Sequence, residues 1–182
     1  MRIEDTDRYV NMAIPNKEVM SIYQNQISSW FRDEVKVQDL SVLYTAMLEG
    51  KTVVFQQELA RQLRKTISYM DSRENFYHGF LLGIFANLKD YLVKSNREAG
   101  NGRYDICVRK HDLNVIPVIL ELKVAARFKE LEQEAENALE QIKDKNYDDT
   151  LLEEGYTEVF HYGISFYRKQ VCIKLKQTIL GI

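Results

Sequence analysis

Apolar residues recur at helical spacing through the first third of the chain. Val19, Ile22, Tyr23, Ile27 and Trp30 form one stripe, with Asn16 after Ile14-Pro15 placed to cap its start. Leu40, Leu43, Tyr44, Met47 and Leu48 form a second, and Gly50 marks its end. A third runs through Phe55, Leu59, Leu63, Ile67 and Met70, with Arg61, Arg64 and Lys65 outside it. Such stripes predict helices packed on a core. Beyond Asp71-Ser72 the segment ENFYHGFLLGIFANLKDYL is apolar around much of its circumference and predicts a helix packed on more than one side.

The period then changes. A strand is expected near Tyr91 to Ser95, followed by the turn-rich NREAGNG. Arg103 to Val108 alternates as a second strand, and HDLN makes a turn. Val115 to Val124 is almost continuously apolar, as a strand buried on both faces would be. Phe128 to Lys145 reads as a charged helix with Leu131, Ala135, Ala138, Leu139 and Ile142 inward. VFHYGISFY and VCIKLK complete the pattern as two strands around a turn at Arg168-Lys169. The order is helix, three strands, helix, two strands. The expected division is a helical segment over residues 1–70 and an α/β domain over 71–182, with no Pro/Gly linker between them and an interface open to both.

Composition narrows the class. With 182 residues and 45% hydrophobic content the chain has enough apolar mass for one good core or two small ones. Eleven Tyr and eight Phe argue against disorder. A net charge of −2 excludes a uniformly basic coat but not a local basic groove. Cys107 and Cys172 lie apart in apolar runs, which predicts buried structural thiols and no zinc site. Neither a signal peptide nor an apolar run of roughly 20 residues is present, so a soluble cytoplasmic protein with no membrane partner is expected. No Walker A phosphate loop occurs in the chain.

Two acidic residues stand apart from the solvated majority. Glu121 interrupts the most apolar strand, two residues before Lys123, so both project to one face while Leu120, Leu122 and Val124 project to the other. A carboxylate and an ammonium in a buried strand cost desolvation energy, which either a structural ion pair or an active site would bear. Asp105 lies between Tyr104 and Ile106 in the preceding strand. If the strands are neighbours, Asp105 and Glu121 converge as two oxygen ligands for Mg²⁺, with Lys123 beside them to orient water or offset phosphate charge.

GRYDI on one strand, ILELKV on the next and a long helix after them resemble the signature of the PD-(D/E)XK nuclease superfamily, Asp followed by (D/E)-x-K. ENFYHGFLLGI, SNREAGNGRYDI, ILELKV, ALEQIKDKNY and HYGISFYRKQV, in that order, resemble the nuclease-like domain at the C-terminus of prokaryotic AAA-ATPase-like proteins. AIPNKEV resembles the end of the ATPase part, so the chain is expected to be the C-terminal piece of a longer protein.

The resemblance implies a restriction-endonuclease-like αβββαβ core, class α/β (α+β), preceded by a small helical segment. It implies Asp105 and Glu121 as metal ligands for Mg²⁺ or Mn²⁺ and Lys123 as the catalytic lysine. It places Glu74 as a helix-borne acid completing the metal site, although a glutamate favoured by the helix dipole reads equally well there. Gln141 matches a helix glutamine that orients such sites or contacts DNA. The RecB-like tyrosine four residues later is replaced by Lys145, with Tyr147 beyond it.

Arg97, Glu98 and Arg103 are candidate phosphate or metal contacts, with solvated loop charges as the plainer alternative. Gly100 and Gly102 suit a tight turn, and His78 reads as a hydrogen-bonded structural histidine. The expected activity is metal-dependent phosphodiester hydrolysis in nucleic acid, DNA before RNA. The alternative is a catalytically inactive module for nucleic-acid binding or assembly within a larger ATPase. Expected partners are nucleic acid, an ATPase region of the same parent protein and, as a candidate, a second copy of the chain.

Overall fold

A computed structural model describes residues 39–66, 74–95, 104–144 and 148–181. The helix expected around Val19 to Trp30 lies outside them, as do Ile67 and Met70. Among the described residues three helices come first: α1 (Ser41–Leu48), α2 (Thr52–Thr66) and α3 (Glu74–Phe85). Strands β1 (Leu92–Ser95), β2 (Ile106–Arg109) and β3 (Val118–Val124) follow. A 3₁₀ turn at Phe128–Glu130 leads into α4 (Leu131–Asp144), then come α5 (Asp148–Glu153), β4 (Glu158–Tyr167) and β5 (Gln170–Ile179).

The five strands form one sheet in chain order, β1-β2-β3-β4-β5. β3 and β4 are parallel and the other three neighbouring pairs antiparallel. A parallel pair needs a long crossover, and α4 with α5 supplies it. Period-two alternation divides the apolar residues between two faces. On one face Ile106, Val108, Leu120, Leu122, Tyr162, Ile164 and Phe166 join the buried residues of α1, α2 and α3 in a single core. On the other, Cys107, Ile119 and Val159 join Ile142, Leu151 and Tyr156 in a smaller one. The helices before residue 70 and the sheet after it therefore bury their apolar stripes against each other.

Three tyrosines fasten helices to neighbouring elements through their hydroxyls. Tyr162 donates to the carbonyl of Met47 at 2.8 Å, at the end of α1. Tyr44 donates to that of Ile84 at 2.7 Å, and burial pushes its hydroxyl up to about 12. Tyr77 donates to that of Arg168 at 2.7 Å and stacks on Phe166, ring centroids 4.3 Å apart. Each bonds a carbonyl at a helix end or in a turn, a contact worth about 1 kcal/mol net.

Some expectations need correction. The helix from Asp71-Ser72 ends at Phe85, well before Leu92. Turns at Ala86–Asn87 and Lys89–Asp90, with Asp90 at φ 66°, reverse the chain into β1. The six-residue helix α5, DDTLLE, was not anticipated. It is too short to show a period, and tertiary contacts hold it: Leu151 is buried, and Asp148 Oδ1 lies 2.6 Å from Nε2 of His161, whose Nδ1 meets Thr178 Oγ1 at 3.2 Å. Cys107 is buried as expected, whereas Cys172 is half-buried. No helix among the described residues is long and apolar enough to cross a membrane.

Candidate active site

β3 is the central strand, and its residues Val118 to Leu122 are all buried. Burying Leu120 or Leu122 contributes about 2 kcal/mol each. Glu121 between them is only 3% exposed, and an ionised carboxylate there costs several kcal/mol unless polar groups meet it. Stability alone would not choose it.

The structure brings polar groups to it. The β2–β3 pairing runs through Ile106 opposite Leu120, so the next position along the ladder sets Asp105 opposite Glu121, on the same face. Asp105 stands immediately before β2, where regular pairing has stopped. Its Oδ2 accepts the backbone N–H of Leu122 at 2.8 Å, replacing the missing ladder bond and fixing the carboxylate beside β3. From the opposing helix α4, Gln141 inserts its amide between Glu121 and Lys123. Its Nε2 donates to Glu121 Oε1, and its Oε1 accepts from Lys123 Nζ. A carboxylate only accepts and an ammonium only donates, so these partners settle which way the amide points.

Asp105 is positioned from behind as well. His78 on α3 sets Nε2 3.2 Å from the carbonyl oxygen of Asp105 and 3.0 Å from Ser95 Oγ. The carbonyl can only accept, so an N–H at Nε2 donates to it. His78 is thus a hydrogen-bonded structural histidine, as its place on an apolar helix suggested; the part of Ser95 carried no sequence signal. Glu74 opens α3 one turn before His78, on the same helix face and exposed. Arg97, Glu98, Gly100, Gly102 and Arg103 lie outside the described residues. Cys107, two residues along from Asp105 on the same face, has its thiol pushed up to about 11 by burial. It stays protonated near neutrality and supplies no thiolate.

Replacing His78 by Ala removes the donor that holds the Asp105 carbonyl. The expected cost is about 1–3 kcal/mol in urea unfolding, with His78→Gln recovering part of it. A divalent-metal response that shrinks in the same order, wild type, Gln, Ala, marks His78 as positioning Asp105; an unchanged response shows packing alone.

The donor set fits a hard divalent cation. The two carboxylates stem from opposed positions on one sheet face, Glu121 in β3 and Asp105 just before β2, and each carboxylate oxygen carries two lone pairs, so the bonds to Leu122 N–H and Gln141 orient the groups without exhausting them. Among the described residues no group of three or more His, Cys, Asp or Glu gathers, so Glu74 does not join the pair there. Mg²⁺ commonly binds through one or two carboxylates and keeps several waters, so two suffice.

None of the curated proteins matches the chain. The model of the PD-(D/E)XK nuclease superfamily matches residues 72–176, more than half of it, from just before α3 into β5. With a five-stranded sheet flanked by helices, Asp105 just before β2 and Glu-x-Lys on β3, the chain belongs to the PD-(D/E)XK nuclease superfamily.

Proposed function

We propose that the chain is a divalent-metal-dependent nuclease that hydrolyses phosphodiester bonds in DNA. The observation that carries this reading is the Asp105–Glu121–Gln141–Lys123 constellation, a polar cluster gathered around the buried carboxylate of Glu121 on the most apolar strand. Asp105 and Glu121 would hold Mg²⁺ or Mn²⁺, with Glu74 on α3 as the acid that could reach the cation through water. A cation bound there supplies positive charge to the phosphate oxygens and eases deprotonation of the attacking water. Lys123 offsets charge developing on the phosphate, or orients the water, from a position that Gln141 fixes. The buried floor of β3 limits competing solvent. Presentation beside an ATPase region of the same parent protein is part of the proposal and rests on AIPNKEV and the motif order, and a cytoplasmic place rests on the two free cysteines.

Cleavage of plasmid and oligonucleotide DNA with Mg²⁺ or Mn²⁺, and none in chelator, is the expected result. Binding to the folded state alone also stabilises it, by about 2.7 kcal/mol at a hundredfold excess over Kd. Asp105→Asn is expected to lose both the metal-induced rise in melting temperature and the cleavage. An equal rise in wild type and Asp105→Asn would show binding elsewhere. Wild type inactive with every divalent metal would move the reading to a non-catalytic nuclease-fold module.

A further inference from the structure

Directly beyond the catalytic strand the surface changes character. A cleft of about 310 Å³ begins at Val124, the neighbour of Lys123, and is lined further by Ala126, Tyr167 and Arg168. It adjoins a groove of about 500 Å³ whose walls include Arg64, Phe128, Lys129, Glu132 and Lys169. The two meet where the rings of Phe128 and Tyr167 lie 6.4 Å apart and where Arg168 and Lys169 form the β4–β5 turn.

Three features distinguish this track. Phe128 is 59% exposed, the one aromatic among the exposed large hydrophobics of the described residues. Cations outnumber acids: the single carboxylate on the groove wall, Glu132, is bonded by Lys174, and Glu130 on the rim is bonded by Arg127. Arg168 adopts φ 54°, a region L side chains avoid, while its guanidinium sits over the Tyr167 ring 5.3 Å from the centroid. Glycine or asparagine would occupy that turn position without strain, so an arginine there carries a cost in stability.

We infer that this track binds one unpaired strand of nucleic acid leaving the catalytic centre, with a base stacked on Phe128 and phosphates taken by Arg168, Lys129 and Arg64. The inference rests on the nuclease reading and narrows its substrate to DNA with a single-stranded or frayed segment. An exposed ring stacks any unpaired base but finds no open face in an intact duplex, and cations spaced along a groove follow a phosphate backbone. A protein of net charge −2 needs such a local track, since its overall charge repels nucleic acid.

The test is fluorescence anisotropy in chelator, with a labelled oligothymidylate and a labelled hairpin duplex, on the full chain. Phe128→Ala is expected to weaken oligothymidylate binding about tenfold or more and to leave the duplex unchanged. Lys129→Ala should lower the salt slope for the single strand by about 0.7. Arg168→Gly should weaken strand binding while the melting temperature holds or rises, an outcome that unfolding does not mimic. Equal losses for strand and duplex, or strand binding indifferent to Phe128→Ala, would overturn the inference. Cleavage of the same oligonucleotide with Mn²⁺ separates the two readings. Wild type that binds through Phe128 but never cleaves keeps the track and removes the nuclease; wild type that cleaves, with Phe128→Ala equal to it in binding and cleavage, does the reverse.

Discussion

Lys123→Ala is expected to lower DNA cleavage by about a hundredfold or more while leaving the metal-induced rise in melting temperature largely intact. Lysine does not ligate a divalent cation, so Asp105 and Glu121 should bind metal without it. In the proposed reaction its ammonium would act only where negative charge builds on the phosphate or where water must be oriented, so removal is expected to fall on turnover. The stability cost should be small. Lys123 is half-buried, and what its loss leaves behind is the Gln141 Oε1, a neutral acceptor whose hydrogen bond is worth about 1 kcal/mol. Had the lysine and Glu121 formed a buried pair that served only the fold, removing one partner would cost roughly 3–5 kcal/mol. Melting curves with and without Mg²⁺ and a cleavage assay on the same two proteins separate the cases. A badly destabilised Lys123→Ala beside an inactive wild type would end the catalytic reading.

Those two readings of Glu121 and Lys123 were both open in the sequence, because alternation fixes the face of a strand but not what the opposite layer presents to it. β3 was legible, since a run buried on both faces leaves a carboxylate and an ammonium conspicuous. The neighbouring place of Asp105 followed once β2 and β3 paired, although the residue sits just before β2 and not within it. Gln141 was harder to read. The exchange of the expected tyrosine for Lys145 obscured its role, and only the packing of α4 on the sheet shows its amide between Glu121 and Lys123. The basic and aromatic track was illegible for the same reason: Phe128, Arg64 and Arg168 are far apart in the chain and meet through the β4–β5 turn. Local signals place elements within a few residues, while sites made by opposed layers depend on how closely those layers approach.

Gly163 sets that approach, and its replacement is expected to have the largest effect on stability. It lies on β4 beside Glu121 in the parallel register, on the face that α4 covers. A Cβ built there would collide with the carbonyl oxygen of Ala135 and lie 2.9 Å from the backbone nitrogen of Leu139. Both are helix backbone, which cannot swing aside as a side chain can, so α4 itself must move outward. A glycine inside a strand signals such a close approach even in sequence. Gln141 follows Leu139 by two residues, so the displacement carries the amide away from Glu121 and Lys123. Gly163→Ala is expected to destabilise by about 1–3 kcal/mol, and Gly163→Val by more, through overpacking. Any folded fraction should cleave poorly while still responding to metal. The contrasting control is Gly79→Ala on α3, where an added Cβ meets nothing within 4 Å. There the helix gains about 1 kcal/mol, because alanine has less backbone entropy to lose than glycine. Urea midpoints moving in opposite directions for the two Gly→Ala variants are the expected result. A Gly163→Ala protein as stable as wild type would show that α4 does not depend on that contact, and with it would go the account of how Gln141 is held over β3.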